Sequence, residues 1–272
     1  MRKYLSMENA TLEMNFSTLD DYYSVINKNI NEILSQNFKR IIFHIPELDL
    51  EKFINDINFQ LKNIEPLIMI NTFITSPNIK LELPDNFIIV NTNENNILNI
   101  EGFYNSVKFI TETKDLIVSN INKNLIIEPV IDVDNISTEM ENLDSLFNQI
   151  TDSNINLGGF MISSFIMREH PCNAYLCNGW KCKKRISGLP KHIYINAKMD
   201  VYPHNLFYKA FYIGNIKNKK IDILLEEYYM SKEYNNFIDC CKKVFIKYLS
   251  KYPYELVPLI EYIRLEVLKD EE

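Results

Sequence analysis

The alternation of short β-branched runs with longer amphipathic segments over residues 11–165 is the feature that most constrains the fold. It is typical of βα units, in which each helix returns the chain so that the next strand pairs in parallel. Seven runs are predicted strands, which is close to the number that closes a barrel. We therefore expect an α/β fold with a partial TIM-like barrel. The predicted strands are "TLEMNF" from residue 11, "RIIFHI" from 40, "PLIMINTF" from 66, "NFIIVNT" from 86, "DLIVS" from 115, "NLIIEPVI" from 124 and "LGGFMIS" from 157.

Helices are predicted between these strands. "TLDDYYSVINKNINEIL" begins at Thr18, which can cap the helix, and Asp20 and Asp21 suit the positive end of the helix dipole. "DLEKFINDINFQLKNI" and "STEMENLDSLFNQI" have the same amphipathic period. These segments supply the crossovers that parallel strands require.

The character of the chain changes after Ser164, so we place a domain boundary near residue 168. A small module follows over residues 169–221, in which "KHIYINAKMDVYPHN" predicts a hairpin with its turn at 196–198. Asn196 is the best candidate for a positive φ there, since no glycine is present. Residues 222–272 are predicted to be helical, including "YELVPLIEYIRLEVLKD" near the end.

Charge and hydropathy exclude several classes of protein. The net charge is −7 and the lysines are spread along the chain, so we expect no nucleic-acid partner. The chain has no apolar run long enough for a bilayer and no apolar signal segment, so we expect no membrane partner and a cytoplasmic location. Neither GxxxxGK[ST] nor GxGxxG occurs, which disfavours a phosphate cradle.

Three of the five cysteines, Cys172, Cys177 and Cys182, predict a metal site. Their spacing of five would rotate the side chains by about 140° on a helix, so only a loop could bring them together. Thiolates are preferred by Zn²⁺ and by iron–sulfur clusters, and His204 is our candidate for a fourth ligand. The competing interpretation is three reduced cysteines packed in a small module. The other candidates for the fourth ligand are His170, His192, Cys240 and Cys241.

Two further sets of residues are candidates for acid–base chemistry. His44 ends a predicted strand, which is where barrel enzymes place reacting groups. Glu128, Asp132 and Asp134 in "EPVIDVDN" also lie near a strand end, although solvated loop carboxylates are the simpler interpretation. The catalytic residue, if there is one, stays open at this point.

"INAKMDVYPHNLFYKAFYIGNIKNKKIDILLEEYYMSKEYNNF" resembles the SPASM domain of radical SAM peptide-modifying enzymes. The family's hairpin pattern G-x-V-Y-P-C aligns with "DVYP" at 200–203, with Met199 in place of the glycine and His204 in place of the cysteine. Its later x-G-N-I aligns with "IGNI" at 213–216, and its helix with "LLEEYYMS" at 224–231. The first 165 residues resemble a radical SAM partial barrel, with "KRIIFHIPELDLEKFINDI" in the place of a strand, a GGEP loop and a helix. The resemblance implies a partial barrel over 1–168, a SPASM-like module over 169–221 and a helical segment over 222–272.

The chain departs from that family where the family binds SAM. The CxxxCxxC motif should follow the first strand, and no cysteine precedes Cys172. Three thiolates are needed to leave one iron open for SAM, so we expect no SAM cleavage there. The GGEP glycines, which let the backbone approach SAM, are also replaced in the region of His44 to Glu47.

Three functions are consistent with these patterns. The first is an accessory protein in the maturation of a ribosomally synthesised peptide, which binds the precursor peptide or a partner maturase, with one [4Fe–4S] cluster or Zn²⁺ at the cysteine loop. The second is a metalloenzyme that modifies a peptide at that cysteine site. The third is a metal-free barrel enzyme that uses His44 or the carboxylates of Glu128 to Asp134.

Overall fold

The structure is a computed structural model of all 272 residues. It describes residues 10–36, 38–62, 64–109, 111–120, 123–129, 145, 155–157, 165–167, 192–203, 211–237, 239 and 256–258. The chain divides into two compact units. One comprises Asn9–Phe103 and Lys191–Asn236, and the other Met1–Glu8, Tyr104–Pro190 and Phe237–Glu272.

The described strands and helices follow in chain order. They are β1 (Ala10–Met14), α1 (Leu19–Ser35), β2 (Phe38–His44), α2 (Leu50–Leu61), β3 (Leu67–Thr72), β4 (Phe87–Asn91), β5 (Phe103–Phe109), α3 (Lys114–Ser119), β6 (Leu125–Pro129), β7 (Ile155–Leu157), β8 (Phe165–Met167), β9 (His192–Ile195), β10 (Asp200–Tyr202), β11 (Gly214–Asn215), α4 (Ile221–Tyr229) and β12 (Leu256–Pro258).

The sheet of the first unit has the order β11-β10-β9-β1-β2-β3-β4. Strands β9, β1, β2, β3 and β4 are parallel to one another, whereas β10 is antiparallel to β9 and β11 is antiparallel to β10. Because the parallel strands run the same way, their carboxyl ends lie at one edge of the sheet. The side chains and loops at that edge are the part of this unit where α/β proteins place their sites.

One face of this sheet is apolar and packs against helices. The strand residues alternate, so that Leu12, Phe43 and Ile70 join the same buried cluster as Ile26 of α1 and Phe53 of α2. Helix α1 begins as the sequence predicts, since Thr18 Oγ1 accepts a hydrogen bond from the Asp21 backbone N–H at 3.2 Å. Each fully buried side chain of this size contributes about 1.5–3 kcal/mol relative to exposure, so this face holds the unit together.

The opposite face of the same strands is also buried, and it carries polar side chains beside apolar ones such as Ile42 and Met69. On β1, Thr11 and Glu13 alternate with the apolar residues, and they are 4% and 1% exposed. Arg40 of β2 and His192 of β9 are also buried, at 4% and 5% exposure. Buried ionisable groups are uncommon because ions lose hydration energy in the interior, so this face differs from an ordinary core.

The second unit contains β5 from Tyr104 onward, β6 and β7 in a parallel arrangement, and an antiparallel pair of β8 with β12. Helix α3 lies between β5 and β6 in the sequence. Glu128, one of the predicted carboxylates, lies in β6.

The mixed α/β class is confirmed, and five predicted strands correspond to β1, β2, β3, β4 and β6. "DLIVS" is wrong as a strand, because residues 114–119 form α3; short apolar runs do not distinguish helix from strand. The prediction that "YELVPLIEYIRLEVLKD" is helical is wrong at residues 256–258, which form β12. Pro258 disfavours the helical conformation of the residue before it. Over the described strands the sheet is not closed, so the barrel stays a prediction.

The predicted hairpin is present as β9 and β10, but its turn differs in one respect. Met199, not Asn196, has the positive φ, at 67°. The Asn196 side chain instead accepts hydrogen bonds from the backbone N–H groups of Lys198 and Asp200, at 2.9 and 3.0 Å. Asn196 thus stabilises the turn through its side chain. The boundary at 168 lies outside the described residues, and α4 begins within one residue of the predicted helical segment.

Candidate functional site

Glu13 lies between two histidines on the polar face of the first unit. In the strand register Glu13 is the neighbour of Ile42 on β2 and of Tyr194 on β9. His44 is two residues beyond Ile42, and His192 is two residues before Tyr194, so both imidazoles are on the face of Glu13. The three residues define the cluster that we call the His–Glu–His cluster.

Each histidine contacts its own carboxylate oxygen. His44 Nε2 is 2.7 Å from Glu13 Oε1, and His192 Nε2 is 2.9 Å from Glu13 Oε2. A carboxylate can only accept, so each Nε2 carries the hydrogen. In a neutral imidazole this leaves Nδ1 without a proton, and Nδ1 is then the atom that can take one from another molecule.

Burial opposes ionisation of Glu13, but the hydrogen bonds from His192 and His44 outweigh it and lower its pKa to about 2. The carboxylate is therefore charged at neutral pH. A fixed negative charge against Nε2 orients an imidazole and stabilises its protonated form, as the buried aspartate does in a serine protease triad.

Exposure distinguishes the two histidines. The His44 side chain is 32% exposed, whereas the His192 side chain is 5% exposed. His44 also ends β2 at the carboxyl edge of the sheet, while His192 begins β9. Of the two histidines, His44 is the one open to solvent, whereas His192 is the buried partner of Glu13.

The backbone at His44 is fixed by its neighbours. The hydroxyl of the buried Tyr22 donates to the His44 carbonyl at 2.7 Å and accepts from the Phe16 N–H at 3.0 Å. Burial raises the pKa of Tyr22 to about 12, so this hydroxyl keeps its proton. The Ile45 N–H bonds to the Asn71 carbonyl at 3.0 Å, which holds the end of β2 to β3.

The Asn71 side chain is on the same face as His44, since the two are register partners. Its Oδ1 atom is buried and has no hydrogen-bond donor among the described residues. A buried acceptor without a donor costs about 1–3 kcal/mol, which structures tolerate more readily beside functional sites.

Most of the predicted metal ligands lie outside the described residues. These are Cys172, Cys177, Cys182 and His204, together with the alternatives His170, Cys240 and Cys241 and the carboxylates Asp132 and Asp134. In the part of the chain that the structure describes, no group of three or more His, Cys, Asp or Glu side chains could hold a metal ion. His192, an alternative fourth ligand, directs Nε2 at Glu13.

The sequence analysis identified His44 but missed Glu13 and its link to His192. Glu13 had no clear local signal, because Thr11, Glu13 and Asn15 alternate with Leu12, Met14 and Phe16 in "TLEMNF", a pattern typical of a strand whose polar side faces solvent. A carboxylate that is buried, as this one is, needs a partner. The partner His192 is 179 residues away in the sequence, and no local pattern indicates it.

Comparisons with models of protein families, with curated proteins and with solved structures find no match. The class of protein is defined by the fold and the His–Glu–His cluster. It is an α/β protein with a mainly parallel sheet and a buried carboxylate between two histidines. No helix among the described residues combines the length and the apolar character that crossing a membrane requires.

Proposed function

We propose that this protein is an acid–base catalyst in which His44 transfers a proton to and from a substrate at the carboxyl edge of the sheet. One observation carries this proposal: a partly exposed imidazole is held at its Nε2 by a carboxylate that is 1% exposed. Such pairs recur where imidazoles act as general bases, because the carboxylate fixes both the tautomer and the direction of the ring.

The chemistry follows from the tautomer. His44 Nδ1 takes a proton from a substrate group, and the imidazolium that forms is stabilised by the charged Glu13. The same Nδ1 then returns the proton to the substrate or its leaving group, so the imidazole is neutral again. A positioned base of this kind contributes about 10²–10⁴-fold in rate.

The substrate class that we propose is a peptide, and the context is the maturation of a ribosomally synthesised product in the cytoplasm. The support is the SPASM-like pattern over residues 199–231 and the barrel-like order of the first 165 residues. The parallel order of β1 to β4 suits a partial barrel whose interior is the polar face. We propose the cysteine loop as a [4Fe–4S] or Zn²⁺ site that stabilises the module.

The proposal is tested on the purified protein in ²H₂O with the small-peptide fraction of its own cells, read by mass spectrometry. A peptide should gain deuterium or change mass in a protein-dependent way. His44→Gln should reduce this by about 10²-fold or more, because the base is lost. His192→Gln, which changes a histidine that is 5% exposed, should reduce it much less. Equal effects of the two variants would refute the assignment of His44.

The accessory role is the second candidate, and the same experiment separates it. A protein that only binds a precursor peptide or a maturase would cause no mass change in that experiment, which contains no partner enzyme, either with His44 or with Gln in its place. Strand addition to the sheet of the first unit has little support at β11, because that strand has two residues and offers few main-chain hydrogen bonds. Iron, sulfide and zinc analysis after purification without oxygen tests the cysteine loop independently.

A further inference from the structure

Two large apolar side chains are exposed on the loops that leave the sheet beside His44. Leu48 is 97% exposed and Phe73 is 57% exposed. Leu48 lies four residues after His44, and Phe73 directly follows the end of β3. Since β2 and β3 are adjacent and parallel, both loops begin at the carboxyl edge of the sheet.

These two loops are joined by the Glu47 carboxylate. Its Oε2 accepts hydrogen bonds from the Thr75 N–H at 2.8 Å and the Thr75 hydroxyl at 2.6 Å, and its Oε1 accepts from the Ser76 N–H at 3.0 Å. The bond from the Thr75 hydroxyl is the main reason that the pKa of Glu47 is lowered. Leu48 follows Glu47 directly, so these hydrogen bonds hold the backbone from which the Leu48 side chain projects. A loop backbone that is already ordered loses less entropy when it binds.

The charge of this edge is negative. Residues 15–20, 45–52 and 73–78 contain four carboxylates and one cation, the exposed Lys52, so the carboxylates outnumber it. Asp20 and Asp49 lie close enough to the Tyr23 hydroxyl to raise its pKa, after the larger effects of burial and of the bond to Asp56. A ligand with positive charge is attracted to such an edge, and a second copy of this chain, with a net charge of −7, is repelled.

We infer that this surface, formed by Leu48, Phe73 and the carboxylates of Asp20 and Asp49, binds a peptide segment in which a lysine or arginine lies next to an aliphatic or aromatic residue. The inference rests on the proposed function, because the bound segment presents its reacting group to His44. The apolar side chain of the peptide packs on Leu48 and Phe73, and its lysine or arginine lies next to the carboxylates of Asp20 and Asp49. Apolar contact supplies affinity, and charge supplies selectivity.

Three synthetic probes test this: the acetylated, amidated peptides GKLKG, GELEG and GKSKG. Binding is followed by methyl NMR of the intact protein. GKLKG should shift the Leu48 methyl signals and bind about fivefold or more tightly than either other peptide, since loss of one anchor typically costs at least that factor. Added salt should weaken the binding of GKLKG, because dissolved ions screen the attraction between its lysines and the surface carboxylates.

The matched variants are Leu48→Ser and Phe59→Ser. Phe59 on α2 is 88% exposed and lies in none of these loops, so its replacement removes a large exposed apolar side chain outside the proposed surface. Leu48→Ser should weaken GKLKG about fivefold or more, and Phe59→Ser should not. Because Leu48 is 97% exposed, its replacement does not disturb the core.

Several results would overturn the inference: no binding of any probe, equal binding of all three, no loss with Leu48→Ser, or a Leu48-dependent dimer in sedimentation. His44→Gln should leave GKLKG binding intact. If the peptide binds as expected but no His44-dependent mass change occurs, the surface is supported and the catalytic proposal fails. A His44-dependent mass change that Leu48→Ser leaves unaltered overturns the surface alone.

Discussion

The charge of Glu13 should make a large and pH-dependent contribution to stability, and Glu13→Gln tests it. The substitution keeps the shape of the side chain, but an amide N–H₂ then faces one of the two imidazole N–H groups. A pKa of about 2 in the folded protein, against 4.5 for a free glutamate, corresponds to about 3 kcal/mol at 1.36 kcal/mol per pH unit. The stabilisation expected from two charge-assisted hydrogen bonds, after the cost of burying the carboxylate is subtracted, is also about 3 kcal/mol.

The sign of the pH dependence follows from the lowered pKa. The stabilisation is complete above the unfolded value of 4.5 and is lost as the pH falls through about 2. At pH 3 the folded carboxyl is still mostly ionised while the unfolded one is mostly protonated, so about half of the stabilisation remains. The difference between the native protein and Glu13→Gln should therefore narrow from about 3 kcal/mol at pH 7 to about half of that at pH 3.

Urea denaturation at pH 7, 5 and 3, followed by circular dichroism, measures this difference. Glu82→Gln is the control, because Glu82 is an exposed glutamate and its replacement should change stability by less than about 0.5 kcal/mol. A loss below about 1 kcal/mol at pH 7, or an equal loss at pH 3, would refute the reasoning. If Glu13→Gln does not fold, ¹³C NMR of the native Glu13 carboxyl decides the matter, since titration near 4.5 contradicts it.

Three further substitutions, one beside the site and two elsewhere in the first unit, are tested by urea denaturation. Tyr22→Phe should cost about 1–3 kcal/mol, since it removes the hydroxyl that holds the His44 carbonyl, and a neutral result contradicts that role. Met199→Gly should be about 1 kcal/mol more stable than Met199→Ala, the reverse of the usual order, because φ is 67° there. Gly214→Ala should cost about 1–3 kcal/mol, since its Cβ would lie 2.5 Å from Leu224 Cδ2; an unchanged midpoint would contradict that packing.

The parts of the fold that were predictable are those that local sequence determines. Strands β1 to β4 are β-branched runs, and Thr18 caps α1 as its position indicates. The wrong prediction of a strand at "DLIVS", which forms α3, arose because this short apolar run suits a helix and a strand equally well. Only packing decides between the two, and packing is not a local property.

The pairing of β9 with β1 could not be predicted from the residues of either strand. Loops of very different length can close the same strand pair, because closure entropy rises only slowly with loop length. His192 therefore appeared as a possible metal ligand of the cysteine loop, whereas the structure directs its Nε2 at Glu13. His44 was identifiable because a strand end is a recognisable place in the sequence.

The two faces of the first unit's sheet differ in what they contribute to the protein. The apolar face, which packs against α1, α2 and α4, accounts for folding without any charged residue. On the other face, Glu13 is ionised at 1% exposure, although a buried ion pair replaced by apolar residues often leaves a protein equally stable. Loss of the charge in Glu13→Gln should cost stability, but an apolar set of residues in place of all three groups need not, so stability does not explain why this cluster is there. The proposed proton transfer by His44 does explain it, because an imidazolium needs a fixed negative charge beside it.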